Sequence, residues 1–188
     1  MTGQRADARR NYARVLAAAE AEVAAHGAKA SVEQIARRAG VGSGTARRHF
    51  PTRKALFEAV FQRRIRALCD LARTLSGEED SRAALLGWLD ELLAYSLDAR
   101  GLADTLTYVP LDGEEAQESC ASAVEDALAP LVDKAIADQV VRAGVTPHDL
   151  LTLVVGIVLA TESHPTPAAQ AERVLELCIQ GVSPSRTS

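Results

Sequence analysis

The 188-residue sequence has no apolar run that could cross a bilayer. Its longest nearly unbroken stretch, residues 150–160, falls well short of the ~20 residues that a spanning helix needs. A secretory leader is also missing, because the first 15 residues, MTGQRADARRNYARV, are basic and polar without an apolar core. A cytoplasmic protein without membrane contact is expected. Cysteine is scarce, with Cys69, Cys120 and Cys178 about 50 residues apart and no C-x-x-C pair. That spacing disfavours a disulfide framework and a zinc cluster. The four histidines are equally scattered and include no H-E-x-x-H, so no metal and no cofactor is expected. With no basic partner identified beside them, Cys69 and Cys120 read as buried, inert thiols rather than redox sensors.

Strand signals are lacking too: no alternating apolar pattern is flanked by hairpin turns. The segment Gly40-Val-Gly-Ser-Gly44 follows a helical stretch instead of a strand and lacks the G-K-[ST] ending of a phosphate loop. Ser43 is not in a G-x-S-x-G elbow, and no Ser/His/acid or Cys/His set emerges from spacing. The chain offers no residues on which to build an enzyme.

What is present is a hydrophobic fraction of 47% with 24% charged residues, an ordinary globular composition with enough apolar surface for a real core. The overall charge of −4 conceals a split. Residues 1–66 carry 14 Lys and Arg against 5 acids, a net of +9, whereas residues 67–188 carry 7 against 20, a net of −13. A basic module therefore precedes an acidic one. The basic part suits a polyanion such as DNA and the acidic part would turn away from it. Charge alone leaves a plain solvated basic face equally open.

Helical periodicity runs almost throughout. Tyr12, Val15, Leu16, Ala19 and Val23 mark a first helix over 7–26, with Gly27 as its stop. Ser31-Val-Glu-Gln34 reads as a capping box, with the Ser31 hydroxyl accepting from the Gln34 N–H and the Gln34 side chain reaching back. That second helix ends at Gly40, and a third spans 43–49 before Pro51. Thr52 caps a fourth helix with the stripe Phe57, Phe61, Ile65 and Leu68. After the loop 76–81, leucines from Leu85 to Leu97 mark a fifth helix to about Ala99, and Gly101 opens a separate short segment closed by Pro110. A long helix follows from about residue 112 to Ala143, kinked or interrupted at Pro130 and ended by Gly144. Thr146-Pro-His-Asp149 and Thr166-Pro167 start the last two helices. The tail after residue 181 is expected to be disordered.

Two short helices joined by a glycine turn within residues 31–50 make a helix-turn-helix. The Ala-rich first helix, Ser31-Val32 before Ile35-Ala36, Ala39-Gly40-Val41, Gly44-Thr45, His49-Phe50-Pro51, and Arg53 ahead of Ala55-Leu56 together resemble the DNA-binding domain of the TetR family of bacterial repressors. The resemblance covers about 50 residues. It implies an all-α protein in which residues 1–52 form a three-helix DNA-binding domain. Residues 53–181 would form a larger effector-binding and dimerisation domain, joined to it by the helix 53–76. The physical reading agrees: Val32, Ile35, Ala36, Val41 and Phe50 can fix the angle between the short helices, and Gly40 supplies a left-handed turn. The third helix then presents its N-terminal residues to base edges in the major groove.

The expected DNA-binding residues are Ser31, Ser43, Gly44, Thr45, Arg47, Arg48, His49, Arg53 and Lys54. Arginine can pair with guanine O6 and N7, and Arg53 and Lys54 would meet phosphate. Two departures from the family pattern bear on this. Ala46-Arg47 stands where a larger apolar residue and a tyrosine are usual, which removes a ring that packs on the DNA backbone and adds a cation. Gly42 stands where Ser or Thr caps, leaving that task to Ser43 and making the helix more mobile.

The segment 150–160 is apolar all round and the last helix offers a second broad apolar surface. Since the family pairs two copies through its last two long helices, the resemblance implies a homodimer interface of Leu151, Val155, Gly156, Leu159, Val174, Leu177 and Cys178. The alternative is that both helices simply cap a monomer core. Trp88, Tyr95, Leu102, Leu106 and Tyr108 lie in the two segments that border the effector cavity in the resembling fold, so the resemblance implies them as walls of a small-molecule pocket, each an ordinary core residue on the alternative reading. Few charges interrupt that region, which points to a neutral or weakly cationic effector. The expected function is a sequence-specific, ligand-released repressor of operator DNA. The alternative is an all-helical enzyme or small-molecule carrier whose basic N-terminal domain serves another role.

Overall fold

The computed structural model describes the backbone of residues 2–26, 29–105 and 114–182, and the side chains of residues 7–26, 29–52, 54–98 and 122–181. These residues form eight helices and no strand: α1 (Thr2–His26), α2 (Val32–Ala39), α3 (Ser43–His49), α4 (Arg53–Leu75), α5 (Ser81–Thr105), α6 (Glu114–Ala137), α7 (Pro147–Thr161) and α8 (Pro167–Val182). They divide into two compact units, one within Met1–Arg64 and Asp98–Leu111, the other within Ile65–Leu97 and Asp112–Ser188.

In the first unit α1 packs on α2 and α2 on α3. The core joins Val15, Ala19 and Val23 of α1 to Ile35 and Ala36 of α2, Ala46 of α3, and Leu56, Phe57 and Val60 of α4. Phe50 is buried, and Val32 and Val41 are half-buried against this core. The apolar stripe of α1 does not stay inside to its end, because Tyr12 is 40% exposed. Residues 27 and 28, including the expected stop at Gly27, lie outside the described residues.

The second unit is built around Leu68, Cys69 and Ala72 of α4, Trp88, Leu89 and Leu92 of α5, Leu128, Leu131 and Val132 of α6, Val154 and Val158 of α7, and Leu175 of α8. Hydrogen-bonding side chains set several helix starts. Asp80 accepts from the Ala83 N–H at 2.9 Å ahead of α5, and Thr52 accepts from Ala55 at 3.0 Å to begin α4. A full capping box opens α7: Thr146 accepts from the Asp149 N–H, and Asp149 accepts from the Thr146 backbone at 2.9 Å. The Thr146 hydroxyl, and after it the Thr146 backbone, hold the Asp149 carboxyl below the usual carboxylate range.

Helix α1 begins at Thr2, five residues ahead of the expected start at residue 7, and two later boundaries also differ from the sequence-based expectation. Helix α5 does not stop near Ala99 but continues through Gly101 to Thr105. A helical glycine costs only about 1 kcal/mol against alanine, and no proline intervenes before Pro110. Conversely, α6 passes through Pro130 and ends at Ala137, six residues before the expected stop. Gln139 adopts a left-handed conformation at φ 60, and the Val140 and Val141 N–H groups both return to the Ala135 carbonyl, at 2.8 and 3.1 Å. Ending there turns Val141 into the core, where it is buried. Gly144, at φ 91, shapes the turn that leads to α7 instead of ending α6.

Candidate nucleic-acid interface

Helix α2 begins at Ser31, whose hydroxyl oxygen accepts from the Gln34 N–H at 3.4 Å. The same hydroxyl donates to Glu33 Oε2 at 3.1 Å, which ties this first-turn acid to the cap. At the other end, Gly40 sits at φ 63, and its N–H reaches back to Ala36 and Arg37. A Cβ at Gly40 would lie 2.8 Å from Arg14 Nη2. That guanidinium donates to the Ala39 carbonyl and closes the C-terminal end of α2. Sequence reasoning had not singled out Arg14, since its only signal was a charge among the apolar positions of α1.

The Gly40 turn sends the chain into α3, whose N-cap is Gly42 with no side-chain hydrogen bond. The Gly42 carbonyl accepts from Thr45 at 2.9 Å and from Ala46 at 3.2 Å, so the start is held by backbone alone and Ser43 does not take over the cap. Ala46 is fully buried. A methyl group at that position lets α3 sit close on α2, and it fixes which face of the helix is turned outward.

That outward face carries Ser43, Gly44, Arg47 and Arg48, all exposed, with Thr45 and His49 half-buried. Arg48 Nε donates to the Gly44 carbonyl at 3.2 Å, laying the side chain along its own helix. Arg47 Nη2 donates to Glu33 Oε1 at 2.6 Å. His49 meets the edge of the Tyr12 ring at a centroid distance of 5.6 Å, and Tyr12 also lies 5.6 Å from Phe50. The structure thus adds Tyr12 and Glu33 to this face. Tyr12 had served only to mark the period of the first helix, and Glu33 had no role of its own within the Ser31–Gln34 segment. Lys54 is half-buried with its ammonium 3.8 Å from Glu58. Arg53 stands in the first turn of α4, with its side chain outside the described residues.

In the second unit the residues expected to meet a partner copy stand on α7 and α8. Val155 and Leu159 are each 48% exposed and Leu177 is 56% exposed, while a Cβ on Gly156 would meet nothing within 4 Å. Leu151, Val174 and Cys178 are half-buried beside them. Exposed leucine and valine at i, i+4 spacing make an apolar stripe of the kind that marks an interaction surface. Of the expected effector residues, Trp88 is wholly buried with its indole N–H on the Leu68 carbonyl, and Tyr95 is half-buried. The Leu102 side chain and all of Leu106 and Tyr108 lie outside the described residues. A groove of about 780 Å³ runs between α5 and α8, walled by Leu86, Leu93, Leu97, Leu175 and Ile179 together with Arg82, Asp90 and Arg173. Trp88 and Tyr95 are not among its walls. No helix of the described residues is long and apolar enough to cross a membrane. No group of three potential metal ligands occurs among the described residues.

Two segments of the chain match known protein families. Residues 15–60 match the domain described as bacterial regulatory proteins, tetR family. Residues 80–184 match the C-terminal domain described as transcriptional regulator SbtR-like. A TetR transcriptional regulator from Streptomyces coelicolor is 36% identical, with a TM-score of 0.76 over 93% of this chain and 99% of its own. A TetR regulatory protein from Mycobacterium vanbaalenii is also 36% identical, with a TM-score of 0.73 over 96% and 99%. The fatty acid degradation regulator FadR from Bacillus halodurans, at 19% identity and a TM-score of 0.55 over 90% and 98%, shares the fold alone. No curated protein matches the sequence.

Proposed function

Because the chain belongs to the TetR family and is a DNA-binding transcriptional regulator, we propose that it is a homodimeric repressor released from its operator by a small molecule. The observation that carries this reading is α3, a helix whose buried Ala46 leaves Arg47 and Arg48 facing solvent. An exposed arginine pair on the second helix of a helix-turn-helix is placed to enter a major groove. Arg47 reads a base edge, and Arg53 and Lys54 neutralise phosphates beside it. Ser31, Ser43, Gly44, Thr45, Arg48 and His49 complete the contact surface.

Two half-sites require two copies, and the apolar stripe of Val155, Leu159 and Leu177 supports pairing through α7 and α8. The effector acts on the second unit through the part of α5 that bears Trp88 and Tyr95. It favours a spacing of the two recognition helices other than the ~34–36 Å of one DNA turn. Effector and operator then oppose each other through one coupling free energy. The protein does no chemistry on either ligand.

Capture of genomic fragments by the purified protein, with sequencing of what is retained, tests this reading. Recovery of a two-fold symmetric site beside a promoter is expected, and retention without sequence preference would overturn it. On the recovered duplex, Arg47→Ala should cost ~1–3 kcal/mol and relax preference at one or two base pairs. Arg53→Ala should weaken all sequences alike and lower the salt slope by about 0.9.

A further inference from the structure

Arg47 is tied to another helix. Its Nη2 donates to Glu33 Oε1 at 2.6 Å, and Glu33 Oε2 accepts from the Ser31 hydroxyl at 3.1 Å. One carboxylate oxygen is thus held by the residue that caps α2 and the other by the arginine of α3. Both side chains of the ion pair are more than half exposed. A pair so open to water adds little to stability, so its consequence lies in orientation. A free arginine would lose its rotamer freedom on meeting a base, whereas one already held in place loses less. The guanidinium has five N–H donors in a rigid fork. With one used on Glu33, enough remain for the two bonds to guanine O6 and N7.

We propose that Glu33, held by Ser31, is a positioning residue that sets the guanidinium of Arg47 for one base pair and disfavours all others. The inference rests on Arg47 reading a base edge. When the correct guanine is present, Arg47 bridges it to Glu33 and the carboxylate is neutralised by a shared cation. On any other sequence Arg47 stays paired with Glu33 and, held in that orientation, finds no matching acceptor on the base, so its loss of water is not repaid and the wrong base is disfavoured. Glu33 is ionised when this happens, since the hydrogen bond from Arg47, followed by its own backbone and Ser31, holds its carboxyl below the usual range.

The test uses the full chain, a consensus duplex recovered by the wild-type protein from a randomised pool, its single-base variants, and a scrambled duplex. Glu33→Gln should lower discrimination about fivefold at a single base pair and leave the other positions unchanged. It should also bind the scrambled duplex about twofold more tightly, because one like charge has left the face that meets phosphate. In an Arg47→Ala background, Glu33→Gln should lose no further discrimination. Circular dichroism should be unaltered throughout, as both side chains are exposed. The proposal is overturned if Glu33→Gln tightens consensus and scrambled duplexes by the same factor with discrimination intact. If Arg47→Ala alone leaves every base preference in place, the base-reading role of Arg47 fails and this inference with it, while the DNA-binding reading stands on the preference of the wild-type protein.

Discussion

The Trp88 indole N–H donates to the Leu68 carbonyl at 2.9 Å with no part of the tryptophan exposed, linking α5 to α4 through the core of the second unit. Because this is the sole tryptophan, its fluorescence reports that core directly. Emission should be blue-shifted and poorly quenched by acrylamide, and ready quenching would contradict the burial. Trp88→Phe removes the donor and leaves a small void, at a cost of about 1–3 kcal/mol in urea denaturation. An effector that changes Trp88 emission has to disturb the packing between α4 and α5. If a compound alters the emission but leaves operator affinity unchanged, it favours neither state and is not the inducer.

Gly40 should tolerate replacement poorly. At φ 63 an L side chain costs about 1–2 kcal/mol, and the new Cβ would push Arg14 off the Ala39 carbonyl. The guanidinium is flexible and can move aside, so the loss comes from the conformation plus one hydrogen bond. Gly40→Asn should be milder than Gly40→Ala, because asparagine enters the left-handed region more readily. Equal stability of Gly40→Ala and the wild type in chemical denaturation would refute the argument.

Gly156→Arg separates folding from assembly. Open space around the site means that a single copy accepts the arginine, whereas an apolar pair of helices would bury it unpaired at a cost of several kcal/mol. Helix content and melting of the isolated chain should be preserved, and sedimentation equilibrium should show monomers. Specific DNA binding should fall with dimerisation although residues 31–54 are untouched. An intact dimer would remove Gly156 from the interface, and Leu177→Glu then asks the same question of α8.

His148 and Glu125 predict a pH dependence with a definite sign. The His148 ring Nδ1 lies 2.8 Å from Glu125 Oε1. That hydrogen bond, and then the charge of Glu125, raise the histidine above its ordinary value. A raised folded pKa gives stability that is fully present below the unfolded value near 6.5 and is lost as pH rises through the folded one. The effect is small, because His148 is open to solvent beside a half-buried Glu125. Proton NMR titration should show the His148 midpoint falling in Glu125→Gln, and an unchanged midpoint would remove Glu125 as the cause.

Local signals were legible where each needed only neighbours in sequence. Ser31, Gly40, Thr52, Thr146 and Pro147 marked helix ends because caps and left-handed turns are decided within four residues. The exposed cations of α3 were legible for a related reason: a helix of fixed period with one small buried side chain must turn its remaining positions outward. Where local signals competed with packing they misled. Gly101 and Gly144 looked like stops, yet α5 ran through the first and α6 ended well before the second. Gly42 suggested a cap moved to Ser43, but backbone bonds alone hold the start of α3.

By itself, then, the sequence determined the helical class, the split of charge between a basic and an acidic part, and a helix-turn-helix with two arginines on its second helix. All of these are properties of composition or of intervals shorter than a few turns. Tertiary structure alone decided which apolar residues stay outside. Val155 and Leu159 are exposed while Val154 and Val158, one position earlier in each case, are buried, and a helix that is apolar all round gives no sequence signal to tell them apart. It alone joined Arg47 to Glu33 across 14 residues and brought Tyr12 of the first helix to the side of His49. Such pairings depend on the angle at which one helix crosses another, and that angle is set by the packing of Ala46, Ile35 and Phe50, buried together in one core.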